Sequence, residues 1–152
     1  MEDRILVWAQ PRDARLTRNF LEESGFTCRE CPTWEALAGE WQQGAAALVI
    51  AGELLSAPAL ANLQTMLAAQ AAWSDPPIII VGGDTATEQL DAFTAIGNVS
   101  LLYRPVSLRT LRSTVRAALR ARRRQYQVRD LLELKDDADR RKDEFLAMHL
   151  HR

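Results

Sequence analysis

The chain has 152 residues, 47% hydrophobic and 26% charged, a globular composition that excludes a disordered or fibrous chain and can bury a core with no disulfide or metal to hold it. No apolar run approaches the ~20 residues of a membrane span, and the charged start Met1-Glu2-Asp3-Arg4 leads into only four apolar residues. Neither a signal peptide nor a membrane partner is therefore expected, and the chain reads as cytoplasmic.

The first 105 residues alternate short β-type runs with helical stretches. Residues 4–8 (RILVW) form a β-branched and aromatic run, and Pro11 opens a helix at the position where its missing N–H costs least. Leu16, Phe20 and Leu21 make that helix's predicted apolar stripe, and Gly25 ends it. A short strand is predicted over 26–30, then a helix capped by Thr33 with Ala36 and Leu37 inward. Residues 46–51 (AALVIA) are apolar throughout and too short for a helix, the pattern of a central parallel strand covered on both faces. A helix is predicted over 56–73, stopped by Pro76-Pro77, followed by a strand over 78–81 and a turn at Gly82-Gly83. Helix 85–96 and strand 99–103 complete the alternation, and from Ser107 onward the pattern is helical, with no Gly or Pro after Pro105. Five βα repeats with buried central strands predict an α/β, flavodoxin-like, doubly wound parallel sheet of order 2-1-3-4-5.

The charge divides along the same line. Residues 1–103 carry 5 Lys+Arg against 13 Asp+Glu, whereas residues 104–152 carry 14 against 7. The basic half does not point to nucleic acid, because its arginines alternate with apolar and acidic positions as on a solvated helix face. Cys28 and Cys31 are spaced C-x-x-C, but no second pair completes a zinc set. They also sit at a strand end rather than a helix start, where a thiolate would be activated, so packed thiols are expected. Gly82-Gly83-Asp84-Thr85 lacks the spacing of a phosphate-binding glycine loop and reads as a turn into a capped helix.

The segments PRDARLTRNFLEESGF (11–26) and LLYRPV (101–106), in this order of elements, resemble the receiver domains of two-component signalling over roughly residues 4–120. The resemblance implies an acidic pair after strand 1, an aspartate ending strand 3, Ser or Thr after strand 4 and lysine after strand 5. Carboxylates there would hold Mg²⁺ and the aspartate would attack phosphorus. In this sequence Trp8, Ala9 and Gln10 follow strand 1, and neither alignment register supplies an acid. Gly52 and Gly82 stand at the next two positions, and Arg104 replaces the lysine. Glu53 and Asp84 are the nearby carboxylates, with Glu53 expected to turn away from Gly52 by strand alternation. No metal or cofactor is expected. The resemblance also implies a cis bond before Pro105 and a regulatory surface over 85–103.

The last helix, 107 to about 148, would run ~60 Å. Leu108, Leu111, Val115 and Leu119 should pack on the sheet, and Arg120, Arg122, Arg123 and Arg124 read as too charged to be buried. Beyond them Leu131, Ala138 and Phe145 fall at one heptad position and Leu134 and Met148 at its partner, with Arg141 interrupting. That seam suits a parallel two-stranded coiled coil, covered by a second chain; the alternative is a helix folded back on its own globule. RKDEFLAM (141–148) resembles the run leading into the phosphoacceptor histidine of histidine kinases; His151 holds the phosphoacceptor spacing, with Arg152 where an acid would serve as base. The expected organisation is a pseudo-receiver domain at 1–120 and a signalling helix at 121–152, the latter leading into a kinase dimerisation segment. The expected role is a non-enzymatic regulatory or sensory module of a histidine kinase. It would act as a homodimer and pass a signal to downstream kinase domains or a partner signalling protein. A phosphorelay component accepting phosphate at His151 and a stand-alone protein-binding adaptor are the alternatives.

Overall fold

Residues that leave no polar face to water can only sit inside a covered sheet, and the strands follow that logic. In the computed structural model, which describes residues 1–82, 91, 94 and 97–150, β1 (Ile5–Trp8), β2 (Cys28–Glu30), β3 (Ala47–Ala51), β4 (Ile78–Gly82) and β5 (Val99–Tyr103) pair in parallel. Their order is β2-β1-β3-β4-β5, the expected one. The register sets Trp8 against Ile50, Ala51 against Val81 and Gly82 against Tyr103, which brings the chain exits after β1, β3, β4 and β5 to one edge. Among the described residues four α-helices surround or leave the sheet: α1 (Pro11–Glu23), α2 (Trp34–Gln43), α3 (Ala57–Ala68) and α4 (Leu108–Leu150). Gly83, Asp84, Thr85, most of the predicted helix 85–96, His151 and Arg152 lie outside the described residues.

Period-2 alternation divides the core between the two faces. Leu6, Trp8, Leu48, Ile50 and Ile80 pack on α2 and α3 through Leu37, Trp41, Leu60 and Leu63. Ile5, Val7, Val49 and Ile79 pack on α1 and α4 through Ala14, Leu21, Leu111, Val115 and Leu119. Thr33 Oγ1 accepts the Ala36 N–H at 3.1 Å and caps α2, and Gly25 (φ 95°) ends α1 in a backbone region that favours glycine.

Four expectations are corrected here, the first at Leu108, which is 59% exposed while Leu111, Val115 and Leu119 alone of that set pack on the sheet. Leu16 is 58% exposed, while Ala14 and Leu21 are the buried residues of α1. At about 100° per residue Leu16 lies nearly opposite Ala14 on the helix. The predicted helix 56–73 ends as α3 at Ala68; the Ser74 N–H closes a turn onto Ala71 O, and Trp73 swings out to meet Tyr126, ring centroids 6.1 Å apart. Arg122 is buried, at 4% exposure, because aromatic rings receive its guanidinium.

Both thiols are free, Cys28 half-buried and Cys31 buried. Burial pushes them up to about 12 and about 11, respectively, so both rest as protonated, unreactive thiols near neutral pH. Among the described residues no helix is long and apolar enough to cross a membrane.

Candidate functional site

In an open parallel sheet the chemistry gathers at the carboxyl ends of the strands, and here that edge holds the residues the sequence singled out. Trp8 points back into the core, 6% exposed, with its ring 5.9 Å from that of Trp34. Ala9 lines a cleft of about 240 Å³ whose walls are Val7, Leu16, Val49, Val81, Val106 and Leu108, with Asp13 and Arg104 at its rim. Gln10 is exposed and offers α1 no side-chain cap.

Gly52 and Gly82 face each other across β3 and β4. A Cβ at Gly52 would lie 3.4 Å from Gly82 Cα and 3.4 Å from Ile80 Cγ2, and one at Gly82 would lie 3.8 Å from Gly52 Cα. Those are ordinary van der Waals separations, so the glycines are not there because the backbone forbids a side chain. What the position lacks is a nucleophile. Among the described residues no cluster of three or more His, Cys, Asp or Glu side chains could hold a metal ion.

Arg104 follows β5 in a cis Arg104–Pro105 bond. Its backbone N–H donates to Gly82 O at 2.9 Å, fixing it beside the glycine pair. Its guanidinium forks onto Glu53, with Nη1 donating to Oε2 and Nη2 to Oε1, both at 3.0 Å. This corrects the alternation argument for Glu53. The chain leaves the strand after Ala51, and a 3₁₀ turn, Gly52–Leu54, swings Glu53 round to Arg104. The Arg104 hydrogen bonds hold the Glu53 carboxyl below its ordinary value, and Glu53 raises Arg104, with the Asp13 charge adding to it. A two-point Arg–carboxylate fork is the pairing an incoming anion would otherwise occupy.

Both side chains remain about two-fifths exposed, so solvent screening limits the pair to no more than about 0.5 kcal/mol. Glu53→Gln is expected to lower stability at pH 7 by no more than that amount. Because the folded carboxyl is depressed, this contribution is present above the ordinary glutamate value of 4.5 and fades as pH falls below it. Urea denaturation of both proteins at several pH values reads the difference, and a gap that widens in acid contradicts the assignment.

A second constellation, at the opposite edge, escaped the sequence reading. Arg122 stacks over Trp41, Trp73 and Tyr126 with its guanidinium carbon 5.6, 5.4 and 4.8 Å from the ring centres. Arg122 Nη1 donates to Ser74 Oγ at 2.8 Å and Gln125 Oε1 at 2.6 Å. Gln125 exchanges two bonds with the Asp75 backbone, the Tyr126 hydroxyl lies 2.8 Å from Glu2 O, and Arg129 pairs with Glu2. Residues 122, 125, 126 and 129 are spaced i, i+3, i+4, i+7, a single helix face; that spacing was the available signal. α4 is thus fastened to the globule as far as Arg129. Beyond it the seam stands in solvent: Leu131 and Leu134 are 66% exposed, Phe145 58% and Met148 69%, and Ala138 is exposed as well.

No protein-family model and no curated protein matches the chain. Solved structures do. NtrX from Brucella abortus, in complex with ADP, superposes with a TM-score of 0.67 at 20% identity over 86% of this chain, which spans only 29% of that one. A response regulator receiver domain protein from Bacillus halodurans gives 0.60 at 21% identity, covering 78% of this chain and 97% of that one. A structure fusing residues 181–211 of the yeast Spc42 trimeric coiled coil to a second protein gives 0.65 at 17% identity, covering 99% and 100%. The chain therefore has a receiver fold extended by a long C-terminal helix.

Proposed function

We propose that this chain is a pseudo-receiver, a regulatory or sensory module of two-component signalling that works without a phosphoryl group. In this reading it forms the N-terminal part of a histidine kinase, pairs with a second copy along α4, and passes a change in packing or register to the domains that follow. The observation that carries it is the strand edge itself. By the resemblance Gly52 falls where the acceptor would be, and Arg104, the basic group of that edge singled out in the sequence, is engaged by Glu53 of the same chain. The edge holds a charge pair beside an apolar cleft, and among the described residues no group of three or more His, Cys, Asp or Glu side chains is assembled to hold a metal ion.

The attachment of α4 supports the mechanical half of the proposal. A helix fastened through residue 129 and exposed beyond it behaves as a lever with a defined exit direction, and a seam of large apolar side chains in water calls for cover from another chain. Transmission needs two states that differ in contacts, and the α4 packing on the sheet and its aromatic fastening are the contacts that would change. Sedimentation equilibrium on the whole chain tests the pairing. A dimer at micromolar concentration is the expected result, and a monomer at tens of micromolar overturns the lever-and-pair mechanism.

A further inference from the structure

A buried guanidinium keeps its charge, and a charge in the interior calls for an acceptor at each of its donors. Arg122 is 4% exposed. Its Nη1 donates to Ser74 and Gln125, but its Nε is buried with no hydrogen-bond partner. Among the described residues no carboxylate pairs with it. Arg122 also lines an open cleft of about 240 Å³, remote from the glycine pair, whose walls include Arg129, Glu2, Trp41, Trp73 and Tyr126.

Arg129 brings a second guanidinium to this cleft, 5.5 Å from the Trp73 ring centre and 4.8 Å from that of Tyr126. The Glu2 carboxylate closes its fork, from a residue ahead of β1 whose side chain is 56% exposed. We infer that the cleft is a binding site for a small aromatic carboxylate, which replaces Glu2 on Arg129 and lays its ring against Trp73 and Tyr126.

The chemistry of the walls selects that class. Two arginines and one glutamate line the cleft, so the lining carries one positive charge in excess; Asp130 bonds Arg129 from outside it. Glu2 shows that a carboxylate fits the Arg129 fork, and a two-point fork suits a planar anion. The aromatic faces suit a flat apolar body, which a bare inorganic anion lacks. The volume is below that of a site for a drug-sized molecule, as a single-ring ligand requires. Arg122, Tyr126 and Arg129 belong to α4, Trp41 to α2, and Trp73 to the turn after α3. A ligand that bridges them favours the state in which α4 is fastened to the globule. The site would thus supply the proposed sensory role with an input, while binding itself depends neither on that role nor on pairing along α4.

Phenylacetate is titrated into the full chain labelled with nitrogen-15, and the indole N–H signals of its four tryptophans are followed. Those of Trp41 and Trp73 should shift saturably at or below about 1 mM. Those of Trp8 and Trp34, which pack together toward the other end of the sheet, should not. Glu2→Gln removes the competing carboxylate and should tighten binding severalfold, whereas Arg129→Gln should weaken it on the order of tenfold or more. Phenylacetamide, of the same shape without the charge, should also bind on the order of tenfold more weakly. Both variants leave Arg122 and its rings in place, so the globule stays folded. Saturation should slow amide exchange across 120–130. No shift at Trp41 and Trp73 in either wild type or Glu2→Gln at about 10 mM overturns the site. Equal binding of the amide overturns it too, as does a Glu2→Gln affinity no tighter than wild type. Saturable binding with unchanged exchange overturns the coupling to α4 alone. A monomeric wild type bears only on the pairing and leaves each of these outcomes decisive.

Discussion

Replacing Arg122 with alanine should lower the stability of the globule by roughly 2–4 kcal/mol and release α4 from residue 120 onward. The estimate combines cation–π contacts worth about 0.5–2 kcal/mol each when desolvated with hydrogen bonds from a charged donor worth about 1.5–3 kcal/mol, discounted for the cost of burying the charge. That cost is real here, because no carboxylate pairs with Arg122 among the described residues and its Nε has no hydrogen-bond partner. Three rings, Trp41, Trp73 and Tyr126, supply the compensation. Arg122→Lys should recover little, since an ammonium cannot spread over three ring faces as a planar guanidinium does. Arg122→Met keeps the stem packing and isolates the contribution of charge. Urea denaturation gives the global loss, and amide exchange across 120–130 shows whether the helix has come away. A loss below about 0.5 kcal/mol with unchanged exchange would mean that this joint holds nothing.

The seam predicts an effect of similar size on association rather than folding. Leu131→Asp/Leu134→Asp removes four leucines from a pair of helices, each worth about 1.5–3 kcal/mol when buried, and sets carboxylates where they would be desolvated. The double variant should be monomeric at concentrations where wild type is dimeric. Its thermal unfolding should match that of the wild-type globule, because both leucines are 66% exposed in the single chain. A variant that still dimerises would place the contact elsewhere, with exposed Leu16 and Leu108 beside the cleft as the next surface to change.

The parts of this molecule that could be read from sequence are those governed by local pattern. The runs around Leu48 and Ile80 are apolar throughout and short, so they could only be central strands, and Pro11, Gly25 and Thr33 mark element ends through their own backbone chemistry. Strand order followed because parallel crossovers have one hand. Tertiary choices stayed hidden. Whether Leu16 or Ala14 faces the sheet depends on how α1 is rotated. Trp73 leaves its helix because Tyr126, far along the chain, offers a ring. Arg122 reads as a solvated charge until three aromatics from separate elements close on it.

The site was half legible for the same reason. That Ala9, Gln10 and Gly52 carry no carboxylate is a fact of sequence, whereas the Glu53–Arg104 pair depends on the chain leaving β3 before it reaches Glu53. Strand alternation predicted the opposite side because it assumed that the strand continued. Asp84, the other carboxylate considered, lies outside the described residues.

The proposed pseudo-receiver role makes one direct claim about chemistry. Incubated with acetyl phosphate and Mg²⁺ and measured by intact-mass spectrometry, the chain should stay unmodified, because the described strand edge offers no nucleophile beside a metal site. A stoichiometric phosphoryl adduct on Glu53, Asp84 or any other carboxylate of that edge would contradict the account.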